Sequence, residues 1–221
     1  MPRVPRVVVL LEGRSDVAAV RALLALDAPS GVGSLADGRV GDGRAHDVQL
    51  VDMGGVTNVR HHLVRLVADA SEGAGPRVLG LGDAAEAPFL SRALAAVGHA
   101  VGTRADMAAL GFHVCDLDLE DELVRALGTA RVQEVLAGLG LLDRFLAFRR
   151  QPAWDGRPVH DQLRRFAGTT SGRKLVVAEA LASALTPSQV PAPLAALVGH
   201  IRAGLAEPPA GPPVRPFAGT G

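Results

Sequence analysis

Apolar and polar positions alternate in two distinct ways along the chain. Short, unbroken apolar runs occur at Val7-Val8-Val9-Leu10-Leu11, at residues 48–53, 77–83 and, more briefly, 111–115. They are too short for helices and rich in Val and Leu, as buried parallel strands are. Between them lie segments of helical period, with Val17, Val20, Leu23 and Leu24 in the first, Val59, Leu63, Leu66 and Val67 in the second, and a third over 85–97. Strands alternating with helices predict an α/β fold with a central parallel, Rossmann-like sheet flanked by helices. From residue 119 the strands stop. Helical patterns cover 119–127, 130–139, 141–148, 159–166, 174–185 and 193–205, which predicts a helical C-terminal half packed on the sheet. The expected organisation is an α/β core at 1–127, a helical part at 128–205, and a disordered tail rich in Pro, Gly and Ala at 206–221. The aperiodic stretch 28–46, rich in Gly and Asp, reads as a surface loop.

Polar residues gather where the apolar runs end. The first run closes in Glu12-Gly13-Arg14-Ser15-Asp16, the third in Asp83 followed by Glu86, and the fourth in an acidic cluster over 116–122. Ser15 or Asp16 can cap the first helix. Glu12 has no such use, and a carboxylate at the end of a buried strand needs a partner. Open α/β sheets bind ligands at the carboxyl ends of their strands, and adjacent strands would bring these acids together. Convergent carboxylates repel one another and call for a cation. Oxygen-only donors favour Mg²⁺ or Mn²⁺, the usual equipment of phosphoryl transfer.

Composition narrows the setting. The 221 residues are 48% hydrophobic and 21% charged, as expected of a globular protein. No apolar stretch approaches the ~20 residues of a membrane span, and a single cysteine, Cys115, points to a reducing cytoplasm and excludes a multi-cysteine zinc site. Net charge is zero, but residues 144–174 hold eight basic side chains against two acidic ones. That segment, with Arg149, Arg150, Arg164, Arg165 and Arg173, is a candidate nucleic-acid-binding face. Lys174 is the only lysine. As a compact point charge, it could neutralise a transition-state phosphate.

The ordered set of motifs resembles the topoisomerase–primase (TOPRIM) domain, in the form found in OLD-family (overcoming lysogenization defect) nucleases. The resemblance is carried by Glu12-Gly13-Arg14-Ser15-Asp16, Met53-Gly54-Gly55-Val56-Thr57-Asn58, Gly80-Leu81-Gly82-Asp83, Asp118-Leu119-Glu120-Asp121-Glu122-Leu123 and Gly168-Thr169-Thr170-Ser171-Gly172-Arg173-Lys174, and it spans about residues 6–200. It implies a TOPRIM fold and a Mg²⁺- or Mn²⁺-dependent nuclease acting on nucleic acid, with DNA the expected substrate. It also implies that Glu12, Asp16 and Asp83 are metal ligands. Glu120, or Asp121 or Glu122, would serve a second ion, and Lys174 would lie near the scissile phosphate. Where the family usually places another acid two residues after the first strand-end aspartate, this chain has Ala85, so Glu86 or the Glu120 cluster would take that part. Full-length family nucleases carry an ATPase domain. With no Gly-x4-Gly-Lys-Ser/Thr loop in the sequence, an ATPase would come from a separate partner.

Other readings compete. Gly54, Gly55, Thr57 and Asn58 could present amides to a phosphate at a helix start, or form a plain glycine turn. Gly80-Leu81-Gly82-Asp83-Ala84-Ala85 fits a Gly-x-Gly-x-x-Ala dinucleotide fingerprint, with Asp106 further on. Here the decisive geometry is whether Asp83 faces Glu12 or the amides of 82–85 open a cradle. The third reading is a catalytically degenerate domain that binds nucleic acid or protein.

Overall fold

The computed structural model describes residues 5–26, 47–70 and 75–206. The loop expected at 28–46 and the tail expected beyond 206 lie outside them. Four strands, β1 (Val7–Leu11), β2 (Val48–Asp52), β3 (Arg77–Gly82) and β4 (Phe112–Val114), form one parallel sheet in the order β2-β1-β3-β4. Helices α1 (Arg14–Ala25), α2 (Val59–Ala70), α3 (Ala87–Ala96) and α4 (Arg104–Ala109) alternate with them. Then come α5 (Leu119–Gly138), α6 (Leu142–Arg149), α7 (Val159–Gly168), α8 (Ser171–Ser183) and α9 (Ala192–Ala206).

The continuous apolar run of β1 reflects burial on both faces. Val7, Val9 and Leu11 point into a core built with Val20 of α1, Leu123 of α5, Leu181 of α8 and Ile201 of α9. Val8 and Leu10 point into a second core with Leu63 of α2, Leu90 and Leu94 of α3, and Phe112. The period-2 alternation of a strand thus sorts one sequence into two layers. The helical half supplies the larger of them. Helix α9 lies so close to the sheet that a Cβ on Gly204 would sit 2.8 Å from Val7 Cγ2. Strand β1 leads outward to β2 on one side, and β3 leads to β4 on the other. The β1/β3 boundary is therefore a topological switch point, open at the carboxyl ends.

Local structure departs from the sequence reading in several places. Gly13, not Ser15 or Asp16, is the N-cap of α1. Asp16 sits at the third helical position and accepts from the Gly13 N–H at 3.2 Å. Helix α4 was not anticipated, although Thr103 and Asp106 form a capping box that marks it: Asp106 N donates to Thr103 Oγ1 at 3.1 Å. The break expected between 127 and 130 falls at Gly128, whose φ of 75° interrupts α5. Helix α8 starts at Ser171, so Lys174 lies within its first turn. Thr170, just before it, has φ 73°, an unusual conformation for a β-branched residue.

Candidate functional site

The switch point gathers the strand-end acids. Glu12 follows β1, and its carbonyl accepts the Gly55 N–H at 2.9 Å, which ties the exit of β2 to that of β1. Asp83 follows β3, where Ala84 N–H donates to Leu117 O at 2.9 Å. Glu86 turns back in a tight helical turn, and its Oε2 accepts the Asp83 N–H at 3.1 Å. One carboxylate oxygen from each of Glu12, Asp83 and Glu86 lies within 4.8 Å of the others. Oxygens around one octahedral Mg²⁺ are at most about 4.2 Å apart, so this span is only slightly wider than a loaded site.

Electrostatics at this edge is unfavourable without a cation. Burial first, then Asp16, Glu86, Asp118 and Glu12, push Asp83 up to about 8. Ionising it at pH 7 therefore costs about 1.4 kcal/mol. Burial also raises Glu86, reinforced by a hydrogen bond between its carboxyl and that of Glu12. Asp16, which is almost fully buried, is raised by the same desolvation, partly offset by Lys174. Two acids sharing a proton is what like charges do when no cation separates them. The donors are all hard oxygens, so the site fits Mg²⁺ or Mn²⁺.

Glu120 lies beside this group. Burial pushes it up to about 7 against the pull of Lys174, whose Nζ is 3.6 Å from Glu120 Oε1. That oxygen is buried and accepts no hydrogen bond. Burial alone would lower Lys174, but Glu120, Asp16, Glu12 and Asp83 together raise it, so its charge is secure. Packing of α8 against α1 brings Lys174 to Asp16 across some 160 residues of sequence.

The other acids of the 116–122 cluster are engaged elsewhere. Glu122 has no exposed surface; it accepts the Asp116 N–H at 2.8 Å and is bound by Arg125 Nη2. Asp121 is paired with His160 Nε2 at 2.7 Å. Neither is brought to Glu12 and Asp83, because successive helical positions face different directions. Asp118, not singled out from sequence, instead lines the same cleft as Asp83 and Glu120. Its Oδ2 is held by Arg164 through Nε (2.8 Å) and Nη2 (2.5 Å), and its Oδ1 caps α5 by accepting Asp121 N–H at 2.8 Å. An Asp two residues before the first acid of a helix was the available sign of a cap.

The basic residues divide. Arg164, Arg165 and Lys174 line a cleft of about 510 Å³ with Asp83, Asp118 and Glu120. Arg157 and Trp154, from the turn between α6 and α7, complete its wall. Arg150 is exposed at the end of α6. Arg149 is occupied internally, its Nε donating to Gln162 Oε1 at 2.6 Å. Arg173 packs over the Phe166 ring at 4.0 Å and donates to Thr169 O. The expected backbone-tracking role does not suit these last two.

Three of the four amides expected to cradle a phosphate are bonded within the protein. Gly54 N–H donates to Asp52 Oδ1 (2.8 Å), Gly55 N–H to Glu12 O, and Asn58 N–H to Gly55 O (3.1 Å). Asn58 Nδ2 fastens the turn to Met53 O at 2.8 Å, and Thr57 is exposed. Positive φ at Gly54 and Gly55, 66° and 118°, explains the glycine pair as a turn. The dinucleotide reading fails on its own criterion. Asp83 faces Glu12 and Glu86, and the Asp83, Ala84 and Glu86 amides are all bonded within the protein. Gly80 and Gly82 serve packing: a Cβ would lie 2.5 Å from Phe112 and 2.9 Å from Leu90.

No protein-family model and no curated protein matches this sequence. Solved structures do match. The C-terminal region of the Burkholderia pseudomallei OLD protein superposes with a TM-score of 0.58 at 20% identity, covering 92% of this chain and 100% of that one. The C-terminal region of the Xanthomonas campestris pv. campestris OLD protein gives 0.59 at 19% identity, covering 91% and 97%. No helix among the described residues is long and apolar enough to cross a membrane. The chain has the TOPRIM-type α/β fold of the C-terminal regions of OLD proteins.

Proposed function

We propose that the protein is a metal-dependent nucleotidyl hydrolase, an endonuclease or nicking nuclease acting on DNA. The observation that carries this reading is the convergence of Glu12, Asp83 and Glu86, each with a carboxylate oxygen within 4.8 Å of the others, in surroundings that make Asp83 and Glu86 keep their protons more readily than ordinary acids do. Similarity of fold to OLD proteins supports it. Glu12, Asp83 and Glu86, with Asp16 behind them, would hold Mg²⁺ or Mn²⁺. Bound there, the ion would lower the pKa of water and stabilise charge on phosphate.

The chain's own groups do the rest. Glu120, with an oxygen that accepts no hydrogen bond and a carboxyl raised to about 7, is suited to accept a proton near neutral pH or to join a second cation. Lys174, held charged by its acidic neighbours, would face the scissile phosphate. Arg165, and Arg164 through the Nη1 that Asp118 does not hold, would meet the flanking backbone, so binding would weaken steeply with salt.

Nicking of supercoiled DNA with Mg²⁺ or Mn²⁺ tests the reading, with Glu12→Gln and Asp83→Asn as controls. Cleavage that persists in either variant would refute the site. A wild-type protein that binds metal yet cleaves neither DNA nor RNA would instead be a binding module.

A further inference from the structure

We propose that the cleft beside the carboxylates admits a single nucleic-acid strand, one of whose bases stacks on a ladder formed by Phe148, Trp154 and Arg157. The choice of nucleic acid as ligand rests on the function proposed above; the strandedness and the stacking residue come from the geometry of the wall.

A volume of about 510 Å³ lies within the range of pockets that hold one small organic ligand. It accommodates nucleotides of one strand, not two paired strands side by side. Its two sides differ in kind. Asp83, Asp118 and Glu120 come from the end of β3 and the start of α5, whereas α7 and the turn before it contribute Trp154, Arg157 and Arg165 with a single acid, Asp161. A phosphate on the acidic side needs a cation or Lys174, whereas a base needs a flat surface, which the other side provides.

That surface is a stack. The Phe148 ring lies 5.2 Å from Trp154, centroid to centroid, at an interplanar angle of 31°. Arg157 Cζ lies 5.2 Å from the Trp154 ring centre, and its side chain is exposed. Phe148 in turn packs at 5.6 Å on buried Phe166, so the ladder is rooted in the core. Trp154 is held by its backbone as well. Its carbonyl accepts Gln162 Nε2 at 2.7 Å, Gln162 Oε1 accepts Arg149 Nε, and Trp154 N–H donates to Gln151 O at 2.8 Å. This accounts for the engagement of Arg149: it positions the turn. Trp154 both packs the turn against the body through Phe148 and lines the cleft. Every base has a π-face, so such a platform is tolerant of sequence, and a guanidinium adds a cationic layer to the stack.

Trp154 is the only tryptophan and there is no tyrosine, so intrinsic fluorescence reports on this one side chain. The full chain is titrated in EDTA at low ionic strength with an oligothymidylate and with a blunt duplex of equal length. Oligothymidylate should quench the emission, and the duplex should bind at least about tenfold more weakly. By anisotropy of a labelled oligothymidylate, Trp154→Ala should lose about tenfold in affinity and Trp154→Phe should retain most of it. Matching thermal unfolding curves would show that Trp154→Ala folds. Equal affinity for the two nucleic acids, or unchanged binding by folded Trp154→Ala, would overturn the proposal. No cleavage is scored in EDTA, so quenching without later nuclease activity would refute only the hydrolase reading. Nicking without quenching would refute only the stacking.

Discussion

Two acidic clusters lie at the carboxyl ends of the same parallel sheet, and they are built on opposite principles. At the β4–α5 corner, Asp116 and Glu122 are both bound by Arg125, and Asp121 by His160. At the β1–β3 edge, Glu12, Asp83 and Glu86 have mainly each other, with Lys174 as the cation that offsets Asp16 and Glu120. Paired acids fasten the chain. The unpaired ones cost stability, and a fold that keeps such acids together is where function is expected.

Substitutions should separate the two clusters. The largest effect is expected at the unpaired edge. Glu12→Gln or Asp83→Asn should lower Mg²⁺-dependent nicking by at least about 10³-fold and remove the rise in melting temperature that Mn²⁺ or Mg²⁺ gives the wild type. Lys174→Met should lower nicking by about 10²–10³-fold. Because Lys174 offers no ligand to the ion, thermal stabilisation by the metal should persist in that variant; its loss would move Lys174 from phosphate contact to site assembly.

Smaller effects should mark the paired corner. Glu122→Ala removes the acceptor of both Arg125 and Asp116 N–H. It should cost about 2 kcal/mol, or roughly 4–8 °C in melting temperature. The increment given by metal should be unchanged, and its disappearance would merge the two clusters into one.

The metal-free protein gives the finest test. Folded Asp83 keeps its proton up to about 8, against an ordinary value of 3.8. Between these values the folded state binds more protons than the unfolded, so stability should fall as pH rises through this window. Asp83→Asn in EDTA should flatten that fall and gain on the order of 2 kcal/mol at pH 8, measured by urea unfolding. A stabilised protein that has lost its metal response would be the signature of an acid kept for function.

Much of this was legible in the chain, for identifiable reasons. The Val7–Leu11 run announced a doubly buried strand, and the carboxylates after the first and third strands announced their own convergence, because parallel strands open on the same side. Glu86 was legible only as a candidate beside Ala85; whether it reached Glu12 depended on the tight turn after β3. Glu120, Asp121 and Glu122 could not be told apart by residue type.

Sequence by itself therefore determined the alternation of strands and helices, the strand ends that carry acids, and a solitary lysine far along the chain. Tertiary structure decided which carboxylates were neutralised. Helical rotation gave Glu122 to Arg125 and Asp121 to His160, and packing of α7 gave Asp118 to Arg164. Packing of α8 on α1 placed Lys174 beside Glu120. Residue type fixes a charge, but partners brought together from distant segments decide whether that charge is spent on the fold or left for a ligand.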